Sequence, residues 1–306
     1  MSDADPVLKK ILAKAGIPDL VGILAERLSN GELTSLLLEV YRRRAAALQP
    51  HALLAGLAAN RFVQPATSDP LALRRADADM LELAQQAGFR PVELSPLAPL
   101  GSSALYGRVS QHKVLSALRG CEVASDPCNT LLPLMVARLS DKSAPLAELH
   151  WAGSQRVVRS NLMDFPDFKP HFALFAAVSL LRGKDPQPLI ETALKHLRLQ
   201  QRMFAQFGLH EIQWRLQIKG RQKQLGDHMR EALAQSDVSY TVESASGTDY
   251  YQGFQLKSYA TRGGQTVELG DCGCVDWAAQ LKGDARLQAF ISGIGIERML
   301  ALVGQT

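Results

Sequence analysis

The C-terminal stretch Ile291-Ser292-Gly293-Ile294-Gly295-Ile296-Glu297-Arg298-Met299-Leu300 carries the order of features that decides the fold. Glycines in a strand let the backbone approach a flat or charged ligand closely. An arginine on the first turn of the following helix is then aimed back at that ligand. An isolated G-x-G is also the pattern of an ordinary tight turn between a strand and a helix. The full order of strand, G-x-G, acid, arginine and helix predicts a ligand-binding strand that leads into a terminal helix.

The segments upstream of this stretch alternate strand-like and helical patterns. Short polar turns such as Arg262-Gly263-Gly264 join the last strands, which favours antiparallel pairing over helical crossovers. The predicted strands are residues 147–158, 212–218, 239–243, 253–259 and 265–270, and a helix is predicted over 189–207. The fold class predicted from this order is α+β, an antiparallel sheet flanked by helices.

The N-terminal residues 1–66 predict a helical segment in front of the main domain. Ser29 and Glu32 form a capping-box pattern that starts a helix, and the breaker-rich residues 64–70 mark a boundary. The main domain is therefore expected over residues 67–306. Its first helix runs from Pro70 to Ala87 and stops at Gly88, a normal helix-terminating glycine.

Composition limits the classes of protein that this chain can belong to. It has 306 residues, of which 46% are hydrophobic and 21% charged, so it can bury a substantial core. The net charge of +4 is too small to indicate a dedicated nucleic-acid groove. No uncharged stretch approaches the roughly 18 residues that span a bilayer, and residues 1–6 lack an apolar signal. We therefore expect a cytoplasmic protein that contacts no membrane, with its four cysteines reduced.

The C-terminal pattern resembles motif 3 of the class II aminoacyl-tRNA synthetases. Upstream, Ser246-Gly247-Thr248-Asp249-Tyr250-Tyr251, a strand and Cys272-Gly273-Cys274-Val275-Asp276 follow the order and spacing of the histidyl branch of that class. The resemblance covers about residues 70–306. It implies that ATP binds with Mg²⁺, that Gly293 and Gly295 admit the adenine, and that Arg298 holds the nucleotide.

Motifs 1 and 2 of the class are more weakly matched. Residues 70–96, a long helix and a strand ending in proline, resemble motif 1, which implies a homodimer interface. Residues 156–175 resemble motif 2, a pair of strands joined by a loop. By that match Arg159 would bind the α-phosphate, and Phe172 or Phe175 would stack on adenine. A planar guanidinium and an aromatic ring are the partners that a phosphate and a purine favour.

Three departures from the family pattern bear on catalysis and on the substrate. Ser246 replaces an arginine that supports the activated phosphate, and Asn161 replaces the glutamate of motif 2. A neutral hydroxyl does not stabilise phosphoryl charge as a cation does. The substrate segment R-P-E-G-T reads Asp126-Pro127-Cys128-Asn129-Thr130, so its ammonium-binding glutamate is replaced by Cys128. The predicted substrate-binding residues are Asp126, Cys128, Asn129, Thr130, Tyr250 and Tyr251.

The cysteines suggest a second hypothesis for the same pocket. Cys128, Cys272 and Cys274 fall in segments that would line one cavity, and thiolates bind zinc tetrahedrally. The alternative is that they are small buried residues, because free cysteine packs as one. Their C-x-C spacing is not that of a standard zinc finger.

Two functions follow from the sequence. The first is ATP-dependent activation of an amino acid or other small carboxylate as an acyl-adenylate, with Arg159 and Arg298 as the catalytic residues and a carrier protein, another protein or a small amine as acceptor. No tRNA acceptor is expected, because motif 3 lies at the extreme C-terminus and no anticodon-binding segment follows. The second is a non-catalytic paralogue that binds a ligand and regulates a partner enzyme, similar to the regulatory subunit of ATP phosphoribosyltransferase.

Overall fold

A computed structural model describes residues 5–105, 107, 109–139, 149–160, 169–220, 222–244 and 250–304. The helices are α1 (Pro6–Ala15), α2 (Leu20–Gly22), α3 (Asn30–Ala46), α4 (Pro50–Ala59), α5 (Pro70–Gln86), α6 (Cys128–Arg138), α7 (Gln187–Gln206), α8 (Lys223–Ala234), α9 (Trp277–Lys282) and α10 (Ile296–Val303). The strands are β1 (Arg90–Pro91), β2 (Leu97–Pro99), β3 (Ser116–Ala117), β4 (Cys121–Val123), β5 (Leu149–Val158), β6 (His171–Arg182), β7 (Ile212–Ile218), β8 (Tyr240–Glu243), β9 (Gln252–Arg262), β10 (Gln265–Val275) and β11 (Leu287–Gly295).

The main sheet has eight strands in the order β1-β5-β6-β11-β10-β9-β7-β8. Its inner pairings are antiparallel, but β1 pairs parallel with β5 and β8 pairs parallel with β7. The sheet is therefore mixed, which corrects the prediction of an antiparallel sheet. The reason at one edge is α8, which joins β7 to β8 as a helical crossover and so returns the chain in the same direction.

Each face of this sheet packs against its own set of helices. On one face the core is formed with α5, α7, α8 and α10, and its largest members include Trp214, Phe204 and Phe290. On the other face α6 and α9 cover part of the sheet, with Trp151 and Trp277 in the core. Alternate residues of β6 and β11 enter the two cores in turn, as the two-residue period of a strand requires. The part of the second face that α6 and α9 flank carries the candidate site.

The chain divides into two compact units, one of Met1–Ala59 with Ala117–Cys121 and the other of Asn60–Ser116 with Glu122–Thr306. In the first unit the capping box at Ser29 and Glu32 forms as predicted and starts α3. None of the residues in α1–α4 is buried. Across the part of the chain that the structure describes, no helix combines the length and apolarity needed to span a bilayer.

Candidate functional site

The site is built on a row of residues that runs across the sheet from β5 to β7. Residues in register on neighbouring strands point to the same face, so this row forms a continuous floor. Its first three members are small and its last three are charged. In order from β5 to β7 they are Gly153, Ala176, Gly293, Asp271, Lys257 and Arg215.

Gly293 and Gly295 leave open space above this floor. Among the described residues, a Cβ added to Gly293 would meet nothing closer than the Phe175 carbonyl oxygen at 3.6 Å, and one on Gly295 nothing closer than the Arg298 Cβ at 3.6 Å. Neither glycine has a positive φ. The fold of this chain therefore requires a glycine at neither position, and the free space is suited to a ligand that approaches the backbone.

Arg159 lies at one side of this space, directly after β5. Its Nε donates to the Ser125 carbonyl oxygen at 2.9 Å, and its Nη2 forms an ion pair with Asp126 Oδ2 at 3.3 Å. Its guanidinium carbon lies 5.2 Å from the ring centroid of Phe172. The Arg159 side chain is 32% exposed, so it is ordered by these contacts and still accessible to an anion.

Only one of the two predicted adenine-stacking phenylalanines lies on the site face. Phe172 contacts Arg159, whereas Phe175 is buried in the core on the opposite face with α5, α7 and α10. The two residues are three positions apart on β6, and an odd separation in a strand places side chains on opposite faces. Phe172 is thus the phenylalanine that a ligand on this face can reach.

At the start of α10, Glu297 and Arg298 have different environments. Glu297 accepts from the Ala173 backbone N–H at 2.7 Å, from Ser68 at 2.9 Å and from Arg156 at 3.1 Å. These contacts tie α10 to β6 and to the segment before α5. The exposed Arg298 donates from Nη1 to the Glu268 carbonyl oxygen at 3.0 Å, which leaves most of its guanidinium at the surface.

A second group of side chains lies on the same face of the sheet, on the β10 side of the glycines. Tyr250 and Tyr251 pack edge to face with ring centroids 4.8 Å apart. Asp271 is hydrogen-bonded by Tyr251 and accepts from Gln255 Nε2 at 3.1 Å. Burial raises the pKa of Asp271 to about 6, although these two hydrogen bonds oppose the rise. Lys257, the register neighbour of Asp271, pairs instead with Glu268 at 3.0 Å. Among the described residues no cation lies within ion-pair distance of Asp271.

The substrate segment lies at the N-terminus of α6, on this same face. The Cys128 backbone N–H donates to Asp126 Oδ1 at 2.9 Å. Burial raises the pKa of the Cys128 thiol, and the nearby carboxylates of Asp126 and Asp271 raise it further. Asn129 donates from Nδ2 to Ser103 Oγ at 3.2 Å, and the Thr130 side chain is buried beside it. The structure therefore brings the predicted substrate residues to one place, together with Asp271, which sequence reasoning missed.

The three predicted zinc ligands do not converge. Cys272 and Cys274 lie in the core on the opposite face of the sheet, while Cys128 packs with α6 on the site face. Alternation along β10 explains this placement, because Gly273, between the two cysteines, is the residue that faces Tyr251. Over the described ranges no group of three or more His, Cys, Asp or Glu side chains is arranged to hold a metal ion.

On the face of the sheet opposite to the site, a buried hydrogen-bond network supports β11, the strand that carries Gly293. His196 is fully buried, and its two ring nitrogens lie 2.7 Å from the hydroxyls of Ser179 and Ser292. Phe89 and Phe290 pack edge-on against the ring, at centroid distances of 5.0 and 4.8 Å. Burial lowers the pKa of His196 well below its usual value, so the ring is neutral. Ser292 directly precedes Gly293, so this hydrogen-bond network anchors the floor at β11 to β6 and α7.

Asn161 and Ser246, two of the departures from the family pattern, lie outside the described residues. So do Asp249 and most of the predicted motif 2 loop. Asp271 could have been recognised from the sequence as the acid in an otherwise uncharged, glycine-containing stretch, Leu269 to Val275. Glu297 was visible in the motif, but its anchoring contacts depend on residues as distant as Ser68.

The sheet order, the flanking helices and the glycine strand leading into α10 define a class II aminoacyl-tRNA synthetase-like fold. The solved structures that are similar include apo histidyl-tRNA synthetase from S. aureus, with a TM-score of 0.60 and 13% identity over 78% of this chain and 68% of that chain. The ATP phosphoribosyltransferase regulatory subunit/histidyl-tRNA synthetase from Bacillus halodurans C gives a TM-score of 0.57 and 12% identity, over 79% of this chain and 82% of that one.

A histidine–tRNA ligase subunit from Alicyclobacillus acidocaldarius gives a TM-score of 0.59 and 12% identity, over 78% of this chain and 96% of that one. At such low identities the likeness concerns the fold. No protein-family model matches the sequence, and no curated protein sequence matches it.

Proposed function

We propose that this chain binds ATP on the open floor above Gly293 and Gly295 and activates a small carboxylate as an acyl-adenylate. The observation that carries the proposal is the stack of Arg159 on Phe172, beside the space that the described residues leave open above Gly293 and Gly295. A guanidinium supplies paired donors for phosphate oxygens, and an aromatic face is a platform for a purine. The two features stand together at one edge of the floor.

Formation of the acyl-adenylate requires the protein to position the two substrates, and no covalent intermediate with the protein is needed. A carboxylate oxygen of the substrate attacks the α-phosphorus in line, and pyrophosphate leaves. Arg159 would hold the α-phosphate, and the exposed Arg298 would meet the outer phosphates. Asp126 now neutralises part of the charge of Arg159, so the nucleotide must displace or share that ion pair.

Mg²⁺ would come with the triphosphate. The two glutamates nearest to Arg298 have partners already, since Glu297 accepts three hydrogen bonds and Glu268 pairs with Lys257 and Tyr259. Phosphate oxygens and water commonly provide most ligands of Mg²⁺ in such sites. When bound, Mg²⁺ would neutralise charge on the outer phosphates.

Asp271 narrows the class of carboxylate. It is a desolvated acid without a described cation partner, next to Gly293 in register. A substrate that carries an ammonium or guanidinium group would supply the missing charge, whereas a simple carboxylate would not. We therefore expect a substrate of the amino-acid type.

The acyl acceptor would be a carrier protein, another protein or a small amine. The same proposal includes a homodimer that forms through α5 and β1.

A ligand-binding regulatory subunit is the second candidate. The Arg159–Asp126 ion pair favours it, because a self-neutralised arginine is suited to ligand binding and less suited to stabilising a transition state. The Bacillus halodurans chain, which is described as a regulatory subunit/histidyl-tRNA synthetase, is similar in fold along 82% of its length.

Two measurements test the proposal and separate the two functions. ATP with Mg²⁺ at about 100 times its dissociation constant should raise the unfolding free energy by roughly 2.7 kcal/mol in a thermal-shift assay. The absence of any shift would remove the ATP-dependent activation and leave the regulatory role, whose ligand need not be a nucleotide. Pyrophosphate exchange with each of the twenty amino acids then reports catalysis, and Asp271→Asn should abolish the exchange while ATP still binds. ATP binding with no exchange would transfer the assignment to the regulatory role.

A further inference from the structure

A buried carboxylate, Glu122, lies behind the substrate segment and contacts no ligand-binding residue directly. It is 1% exposed and accepts four hydrogen bonds: from the backbone N–H of Gly101 at 2.8 Å and of Ser103 at 2.9 Å, from Ser103 Oγ at 2.8 Å and from Gln111 Nε2 at 3.1 Å. All four donors are neutral. A carboxylate buried among neutral donors is costly compared with an amide or hydroxyl, so its charge calls for an explanation beyond filling space.

The charge of Glu122 fixes the direction of the hydrogen bonds that lead away from it. Because its oxygens are filled by donors, the Ser103 hydroxyl must use its single proton toward Glu122. Ser103 Oγ can then only accept, and it lies 2.8 Å from Ser125 Oγ and 3.2 Å from Asn129 Nδ2. The hydroxyl of Ser125 is therefore the donor in its bond with Ser103. A single polarity runs from Ser125 and Asn129 through Ser103 to Glu122.

This network ends at the residue that the proposed function uses. Ser125 accepts the Arg159 Nε hydrogen bond at its carbonyl oxygen, and the next residue, Asp126, pairs with Arg159 Nη2. Two consecutive residues thus hold both arms of the guanidinium fork. Backbone hydrogen bonds of Ala124 to Pro96 and Val158 fix the start of the segment independently. The side-chain network is thus placed to set the orientation of Ser125 and Asp126, while backbone pairing holds the fold.

We propose that Glu122, acting through Ser103, is a positioning residue that orients Arg159 toward the nucleotide phosphate. The inference rests on the proposed function, because its readout is ATP binding. A small rotation at Ser125 would move both acceptors of the Arg159 fork, the Ser125 carbonyl oxygen and Asp126 Oδ2. The charge-assisted hydrogen bonds of Glu122 resist such a rotation more strongly than neutral hydrogen bonds would.

The adjacent serines provide a matched pair of variants. Ser102 and Ser103 are both buried, but Ser102 Oγ donates to the Pro99 carbonyl oxygen and has no link to Ser125. Ser103→Ala should lower the affinity for ATP with Mg²⁺, measured by isothermal titration calorimetry on the full chain, by about three- to tenfold. Ser102→Ala should change it by less than about twofold. Glu122→Gln, which reverses part of the network polarity, should act in the same direction as Ser103→Ala.

A double-mutant cycle distinguishes positioning from general loosening of the fold. In an Arg159→Lys background, which keeps the charge and loses the fork, Ser103→Ala should cause less than about a twofold further loss. Equal effects of the two serine variants, or an equal effect of Ser103→Ala in both backgrounds, would overturn the positioning role while leaving ATP binding intact. Absence of ATP binding in the unmodified chain would instead overturn the proposed function, and the positioning role with it.

Discussion

Replacement of Gly293 by alanine separates a glycine kept for a ligand from a glycine kept for the fold. The added methyl group would be in ordinary van der Waals contact, because its nearest neighbour among the described residues, the Phe175 carbonyl oxygen, lies at 3.6 Å. Alanine also restricts the unfolded chain more than glycine does, which stabilises a compatible site by about 0.5–1 kcal/mol. We therefore expect Gly293→Ala to leave the free energy of unfolding unchanged or to raise it slightly.

The same substitution should weaken nucleotide binding. The methyl group would occupy the space in which the proposed ligand lies against the strand, so we expect the affinity for ATP with Mg²⁺ to fall at least tenfold, about 1.4 kcal/mol. Gly270 is the matched control, because it is on the neighbouring strand but a Cβ there would overlap the carbonyl of Gly293. Gly270→Ala should cost about 1–3 kcal/mol of stability through overpacking.

The assays are urea denaturation and isothermal titration calorimetry at one pH and temperature. If Gly293→Ala destabilised the protein as much as Gly270→Ala, the fold itself would require the glycine. If Gly293→Ala bound ATP as tightly as the unmodified chain, the nucleotide would not pass over this part of the sheet. Either result would refute the reasoning.

Three further predictions concern the surroundings of the site. Asp126→Asn removes the counter-charge of Arg159, so ATP affinity measured by calorimetry should rise about threefold or more; a fall would mean that the carboxylate serves the nucleotide. His196 is neutral when folded, whereas an unfolded histidine takes up a proton below about pH 6.5, so the contribution of His196 destabilises the fold as pH falls through 6.5. Because the unfolded ring is already half protonated at pH 6.5, urea titrations at pH 6.5 and 5.5 should show the unmodified chain losing about 1 kcal/mol more stability than His196→Gln, and equal losses would contradict the assignment. Glu297→Gln places a donor against the Ala173 N–H or its neighbours and should cost about 1–3 kcal/mol in the same titrations, with no loss as the opposing result.

Local features of the fold could be predicted from the sequence because their causes lie within a few residues. The capping box of Ser29 and Glu32 depends only on that turn, and it forms as predicted. The helix that begins at Pro70 and the passage from β11 into α10 at Gly295 are present for the same reason. Gly293 and Gly295 likewise lie at the end of β11 that leads into α10, as the pattern predicts.

The rest depended on pairings between distant segments. The sequence pattern did not reveal α8 as a crossover, so the parallel pairing of β7 and β8 was missed. The choice between Phe172 and Phe175 depended on which face of β6 lies toward the core, and that is decided by helices far away in the chain. Asp271 becomes conspicuous only when strand register places it beside Gly293.

The central claim, that Arg159 binds the nucleotide, is tested most directly by calorimetry on two arginine variants. Arg182 is the control, because its side chain is 29% exposed against 32% for Arg159. Each arginine also forms an ion pair with one aspartate oxygen, Arg159 with Asp126 at 3.3 Å and Arg182 with Asp284 at 3.5 Å. ATP with Mg²⁺ should bind one site per chain in the unmodified protein and in Arg182→Gln, and at least tenfold more weakly in Arg159→Gln. Equal binding by the two variants, or no binding by the unmodified chain, would contradict the account.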